Sequence, residues 1–135
     1  MKCLDQSLDI SLSLLPKAKT SRDGKNKFFH FAFGFKGNKL LAIGQNNPEK
    51  THTQAYKLYN KFGIKSDYTY FHAETDLVSK LWNDYYIDER ITVVVIRLNK
   101  IGQLRHSKPC KKCSKILSCL GIKKVIWSVE NGFSQ

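Results

Sequence analysis

Between Ile91 and Val129 this 135-residue chain has no aspartate and no glutamate. The same stretch has Arg97, Lys100, Arg105, Lys108, Lys111, Lys112, Lys115, Lys123 and Lys124, so much of the net charge of +12 gathers there. A polyanion rewards such a broad basic surface through counterion release, whereas a free nucleotide needs only a few cations. Long hydrophobic runs are also missing. The longest apolar stretch, Ile91 to Ile96, falls far short of the roughly 20 residues that cross a bilayer, so no membrane association is expected. The start, Met1-Lys2-Cys3-Leu4-Asp5, turns acidic before an apolar run develops, which points to a soluble, cytoplasmic protein without a secretory leader. No internal repeat or low-complexity tract is present, and 41% hydrophobic with 25% charged residues excludes wholesale disorder. A chain of this length fits a single domain over residues 1–135.

Cysteine is sparse: Cys3, Cys110, Cys113 and Cys119. With no secretory context, and only two residues between Cys110 and Cys113, reduced thiols that bind metal fit better than disulfides. Cys3 and Cys119 read as bystanders, Cys119 on the buried face of a helix.

What the chain does have is His72-Ala73-Glu74 and, with 34 residues between, Pro109-Cys110-Lys111-Lys112-Cys113. One imidazole and two thiolates make a three-ligand Zn2+ site with a fourth position for water, whose pKa such a site lowers from about 16 towards 7. Glu74 stands outside the ligand set, where a carboxylate can pass a proton to a ring nitrogen and a departing amine. H-x-E…P-C-x-x-C is the known pattern of zinc-dependent nucleobase deaminases. Other readings stay open. Cys110 and Cys113 could form a redox pair, or the domain could be a deaminase relative without activity. His106, Cys110, Cys113 and Cys119 could form a structural zinc knuckle, which leaves His72 and Glu74 without a role. His30 and His52 read as structural or surface residues.

Leu4, Leu8, Leu12 and Leu15 recur at helical spacing, which predicts an amphipathic helix ended by Pro16. Phe28–Phe35 and Leu40–Ile43 flank a turn at Lys36-Gly37-Asn38-Lys39 and make a β-hairpin. A short helix is expected from Thr53 to Phe62, with Ala55, Leu58, Tyr59 and Phe62 on one side and Gly63 as its stop. A second runs from His72 to Asn83 and turns Ala73, Leu77, Val78 and Leu81 inward. Ile91–Leu98 is β-branched and nearly continuous, as in a central strand covered on both faces. Asn99–Lys108 reads as loop, Pro109 as the first position of a helix to about Leu120, and Lys123–Val129 as the last strand. Helix–strand alternation in the second half favours parallel pairing. The expected fold is α/β, a three-layer α/β/α sandwich on a mixed sheet. Both motif halves then open helices whose N-terminal dipoles favour thiolate over thiol.

With these residues in this order, the chain resembles the cytidine deaminase-like superfamily from roughly Phe28 to Phe133. Gly44-Gln45-Asn46 is similar to the Gly-x-Asn that ends the second strand in deoxycytidylate deaminases. Pro109 to Leu117, followed by Gly121-Ile122-Lys123-Lys124-Val125-Ile126, resembles the same branch, and Ser107-Lys108-Pro109-Cys110 is similar to compact viral and phage members. The resemblance implies a cytidine deaminase-like fold, Zn2+ on His72, Cys110 and Cys113, and Glu74 as the catalytic proton shuttle. It implies substrate contacts from the Asn46 side chain (Asn47 if the register slips by one), the backbone at Ala73 and Cys110, Ser107, and Trp127 near the pocket. Two departures from the tRNA adenosine deaminases favour cytosine over adenine: Asn46 and His72 lie 26 positions apart, and Pro-Cys-Pro-Met-Cys is missing. The insert from Glu49 to Phe71 interleaves Lys50, Lys57, Lys61 and Lys65 with Tyr56, Tyr59, Tyr68, Tyr70 and Phe71, a composition that can stack bases and hold phosphates or simply fill a core.

The expected activity is conversion of cytosine to uracil in single-stranded nucleic acid, because unpaired bases reach a recessed metal without flipping. A free deoxycytidylate or cytidine nucleotide is the alternative substrate, and a non-catalytic, zinc-containing nucleic-acid-binding module is the alternative class. DNA versus RNA and the oligomeric state stay open at this level.

Overall fold

The computed structural model describes residues 2–20, 28–46, 53–63, 72–84 and 87–135. Alternation builds its first hairpin. Phe29, Phe31, Phe33 and Phe35 of β1 (Phe28–Lys36) are buried on one face, while Ala32 joins the core on the other. Gly37, at φ 61°, turns the chain into antiparallel β2 (Lys39–Gln45). β3 (Ile91–Asn99) pairs antiparallel with β1 along its whole length. Its Val93 and Val95 enter one core cluster and Val94, Ile96 and Leu98 the other, so the apolar run belongs to a strand covered on both sides. β4 (Leu104–Arg105) pairs with the end of β3. β5 (Lys124–Val129) runs parallel to β3, and β6 (Gly132–Ser134) closes antiparallel on β5. The sheet order is β2-β1-β3-β5-β6, with β4 on β3.

α1 (Lys2–Thr20) covers the phenylalanine face. The opposite face is covered by α2 (Thr53–Lys61), α3 (Ala73–Asp84) and α4 (Lys111–Cys119). The architecture is a three-layer α/β/α sandwich on a mixed sheet. No helix among the described residues is long and apolar enough to cross a membrane.

Several elements depart from the sequence expectation. α1 runs through Pro16 to Thr20: the proline lies on the exposed side, and buried Ala18 beyond it keeps the last turn packed. The buried spine of this helix is Cys3, Ser7, Ser11, Leu15 and Ala18, and Leu12 of the expected leucine stripe is exposed. Ser7 Oγ donates to the Cys3 carbonyl at 2.6 Å and Ser11 Oγ to the Ser7 carbonyl at 2.8 Å, so the buried hydroxyls are satisfied within the helix. α4 begins at Lys111 with Cys110 as its N-cap, which puts Pro109 before the helix. Cys119 is exposed, a correction to its buried reading: α4 buries Cys113, Ile116 and Leu117, and two residues past Leu117 is more than half a turn away. β4 and β6, of two and three residues, are too short to leave a periodic signal.

Candidate active site

Two helix starts meet at the end of the sheet. At the first, β2 lies against the opening turn of α3 with no room for a side chain at Gly44. The Gln45 N–H donates to the Asp76 carboxylate at 2.9 Å. Lys80 pairs with that carboxylate at 3.1 Å and donates to the Ile43 carbonyl at 2.7 Å. The carbonyl of His72, the residue before α3, accepts from the Asp76 N–H at 2.9 Å and from Thr75 Oγ1 at 3.1 Å. Tyr59 of α2 braces this turn from below, its hydroxyl 3.1 Å from Thr75 Oγ1. Burial pushes the Tyr59 phenol up to about 12, against the opposing effect of the Thr75 hydrogen bond.

At the second start, the loop before α4 is latched to the sheet by two buried serines. Ser107 Oγ lies 2.8 Å from Ser128 Oγ and 2.9 Å from the Val95 carbonyl, and it accepts from the Ser128 N–H at 2.8 Å. Ser128 Oγ in turn donates to the Arg105 carbonyl at 2.7 Å and accepts from the Arg97 N–H at 3.0 Å. Three residues on, Cys110 caps α4, its sulfur accepting from the Cys113 N–H at 3.5 Å.

These supports bring three donor atoms together. His72 Nδ1 stands 3.4 Å from Cys113 Sγ and 3.8 Å from Cys110 Sγ, and all three lie within 4.8 Å of one another. Among the described residues this is the one such cluster; it takes in His72 and leaves out His106 and Cys119, which removes the four-residue knuckle. One nitrogen and two sulfurs on two rigid helix starts suit a borderline-soft metal ion. Hydrogen bonds from Cys113 and His72 hold the Cys110 thiol down at about 3, so it is a thiolate. Cys113 is pushed far up, first by its hydrogen bond to Cys110 and then by burial. The hydrogen bond with Cys110 raises His72. Glu74 is 5% exposed, and burial raises its carboxyl.

A cavity of about 280 Å³ opens over this cluster. His72, Ala73, Glu74, Cys110, Asn46 and Ser107 are among the residues that line it. Cys113 lies beneath as the buried third donor. Asn46 Oδ1 accepts from the His30 N–H at 3.2 Å, and the Asn46 N–H donates to the His30 carbonyl at 3.4 Å, so the side chain expected to meet substrate is held at the cavity. Ser107 is there too, but its hydroxyl belongs to the latch, which makes it a support of the loop. Trp127, within β5, does not line this cavity; it lines a neighbouring one.

Two lining residues had no assigned role in the sequence: His30 and Lys108. His30 alternates with the buried phenylalanines of β1, so it falls on the same face as Ala32, towards α3; that alternation was the signal available. In the aromatic insert, Tyr59 is core. Lys61 Nζ stacks 3.7 Å over Trp82, whose ring meets Phe62 edge-on at 6.2 Å. Asn47, Lys50, His52, Lys65, Tyr68, Tyr70, Phe71 and the side chain of Tyr56 lie outside the described residues.

No family model matches the chain, and no curated protein does. Among solved structures it is similar to the crystal structure of a cytidine deaminase from Mycobacterium leprae, with a TM-score of 0.50 and 15% identity over 91% of this chain and 87% of that one. It is also similar to a dCMP deaminase from the cyanophage S-TIM5 in apo form, with a TM-score of 0.49 and 22% identity over 88% of this chain and 82% of that one. The likeness to the first, together with the layer order, shows a cytidine deaminase-like fold.

Proposed function

We propose that the chain is a zinc-dependent hydrolase that converts cytosine to uracil and releases ammonia. The observation that carries this reading is the clustering of His72 Nδ1, Cys110 Sγ and Cys113 Sγ within 4.8 Å, at a cavity lined by His72, Cys110 and Glu74. Zn2+ on these three ligands would supply a Lewis acid that makes water nucleophilic near neutral pH. Glu74 takes the proton of the attacking water at its carboxylate, gives it to the ring nitrogen, and carries a second to the departing amine. Burial raises the Glu74 carboxyl above the ordinary carboxylate range, the direction that suits a group which both accepts and returns protons. Asn46, pinned to the His30 backbone, orients the sugar or base. Backbone groups at Ala73 and Cys110 meet the base edge in the cavity wall.

The substrate we assign is cytosine in single-stranded nucleic acid. Supporting this, the stretch from Ile91 to Val129 surrounds Cys110 and Cys113 with nine cations and no acid. Ammonia release is to be measured with a cytosine-containing oligonucleotide and, separately, with dCMP. Turnover of the oligonucleotide at the lower KM supports the assignment. Turnover of dCMP alone replaces it with a free-nucleotide activity.

A further inference from the structure

A second cavity, of about 110 Å³, adjoins the first and shares Lys108 with it. Leu117, Ile122 and the indole of Trp127 give it apolar walls, and Ser114 and Ser118 add two hydroxyls. Lys108 is exposed, and its Nζ stands 5.5 Å from the centre of the Trp127 ring. None of the residues lining the second cavity is acidic. The pair of cavities therefore offers two recesses with one cation at their junction. A flat ring with polar edges, joined through an anion to a ring in the first cavity, matches each part. The indole and aliphatic walls take the ring face, the hydroxyls its edge, and Lys108 the anion.

We propose that the two cavities take two successive nucleotides of one strand: the target cytosine over Glu74, its neighbour against Trp127, and a backbone phosphate at Lys108. This rests on the cavity over Glu74 taking cytosine, and it makes a strand of at least two nucleotides the preferred substrate class over a free nucleotide. Lys108 and Trp127 act here in binding and specificity and leave the chemistry to Glu74.

The chain has two tryptophans, and Trp82 is partly exposed on α3, away from both cavities, so Trp82→Phe makes Trp127 the sole indole. That protein is titrated with dinucleotides carrying cytosine at either position, with the same dinucleotides abasic at the neighbour, and with dCMP. The expected result is quenching of Trp127 by one intact dinucleotide, at a half-saturation about tenfold lower than for its abasic form, and no quenching by dCMP. In turnover, Trp127→Leu and Lys108→Ala should each raise KM for the dinucleotide about tenfold while kcat stays within about twofold, and Lys108→Arg should restore KM. Equal quenching by dCMP, or no quenching by any strand, overturns the inference. Strand quenching without ammonia from any cytosine substrate supports the second cavity and refutes deamination; ammonia without strand quenching refutes the second cavity and supports deamination.

Discussion

Gly44 on β2 lies so close to Ala73 at the start of α3 that a Cβ on it would stand 2.2 Å from the Ala73 carbonyl oxygen. The Leu77 backbone nitrogen would be 2.5 Å away. Neither atom can swing aside as the end of a flexible side chain can. Gly44→Ala must therefore push α3 off β2 and carry His72 and Glu74 with it. The expected outcome is a loss of about 3 kcal/mol or more in urea unfolding, with less metal retained per folded chain. Wild-type stability in this variant would mean that the close approach does not hold in solution.

The Ser107–Ser128 latch sets the second helix start. Ser107→Ala removes the acceptor of the buried Ser128 N–H and a hydrogen-bond partner of the Val95 carbonyl. Unfolding free energy should fall by about 1–3 kcal/mol, while the chemistry at Glu74 survives in the fraction that keeps its metal. A direct substrate contact from the Ser107 hydroxyl would instead raise KM with stability unchanged.

Tyr59 gives a pH signature. Its phenol is raised from 10.0 to about 12 in the folded chain. The unfolded chain thus releases this proton first, so its contribution to stability is complete below about pH 10 and is lost as pH rises towards about 12. Thermal unfolding of wild type should fall across that window more steeply than that of Tyr59→Phe. Parallel curves for the two proteins would show that Tyr59 titrates normally.

Metal removal separates the ligand sets. A chelator should lower the melting temperature and stop ammonia release, and Zn2+ should restore both. Cys113→Ser should lose the bound ion, whereas Cys119→Ser and His106→Ala should keep it at one per chain. Loss of metal from either of the last two would revive the structural knuckle.

Legibility in the sequence followed the range of the interactions. His72, Glu74, Cys110 and Cys113 announce themselves by residue type, because few other side chains can do that chemistry. The central strand was readable because an apolar run on both faces has few other homes. The inner face of α1 was not, because Ser7 and Ser11 bury their hydroxyls by bonding one turn back, which hydrophobic patterning scores as polar. The latch joins serines 21 positions apart and has no local signature. That His30 also lines the cavity was not readable, because its place there depends on which face of β1 turns towards α3.

The central claim is that Glu74 moves the protons of a hydrolytic deamination on a metal held by its neighbours. Its most direct test compares Glu74→Gln with wild type on a cytosine-containing oligonucleotide and on dCMP, with ammonia release and bound zinc read from the same preparations. The account expects equal zinc, equal melting behaviour, and ammonia release reduced by a factor of about 10²–10⁴ on the substrate the wild type uses. Ammonia release by Glu74→Gln at the wild-type rate, with zinc fully bound, would contradict it.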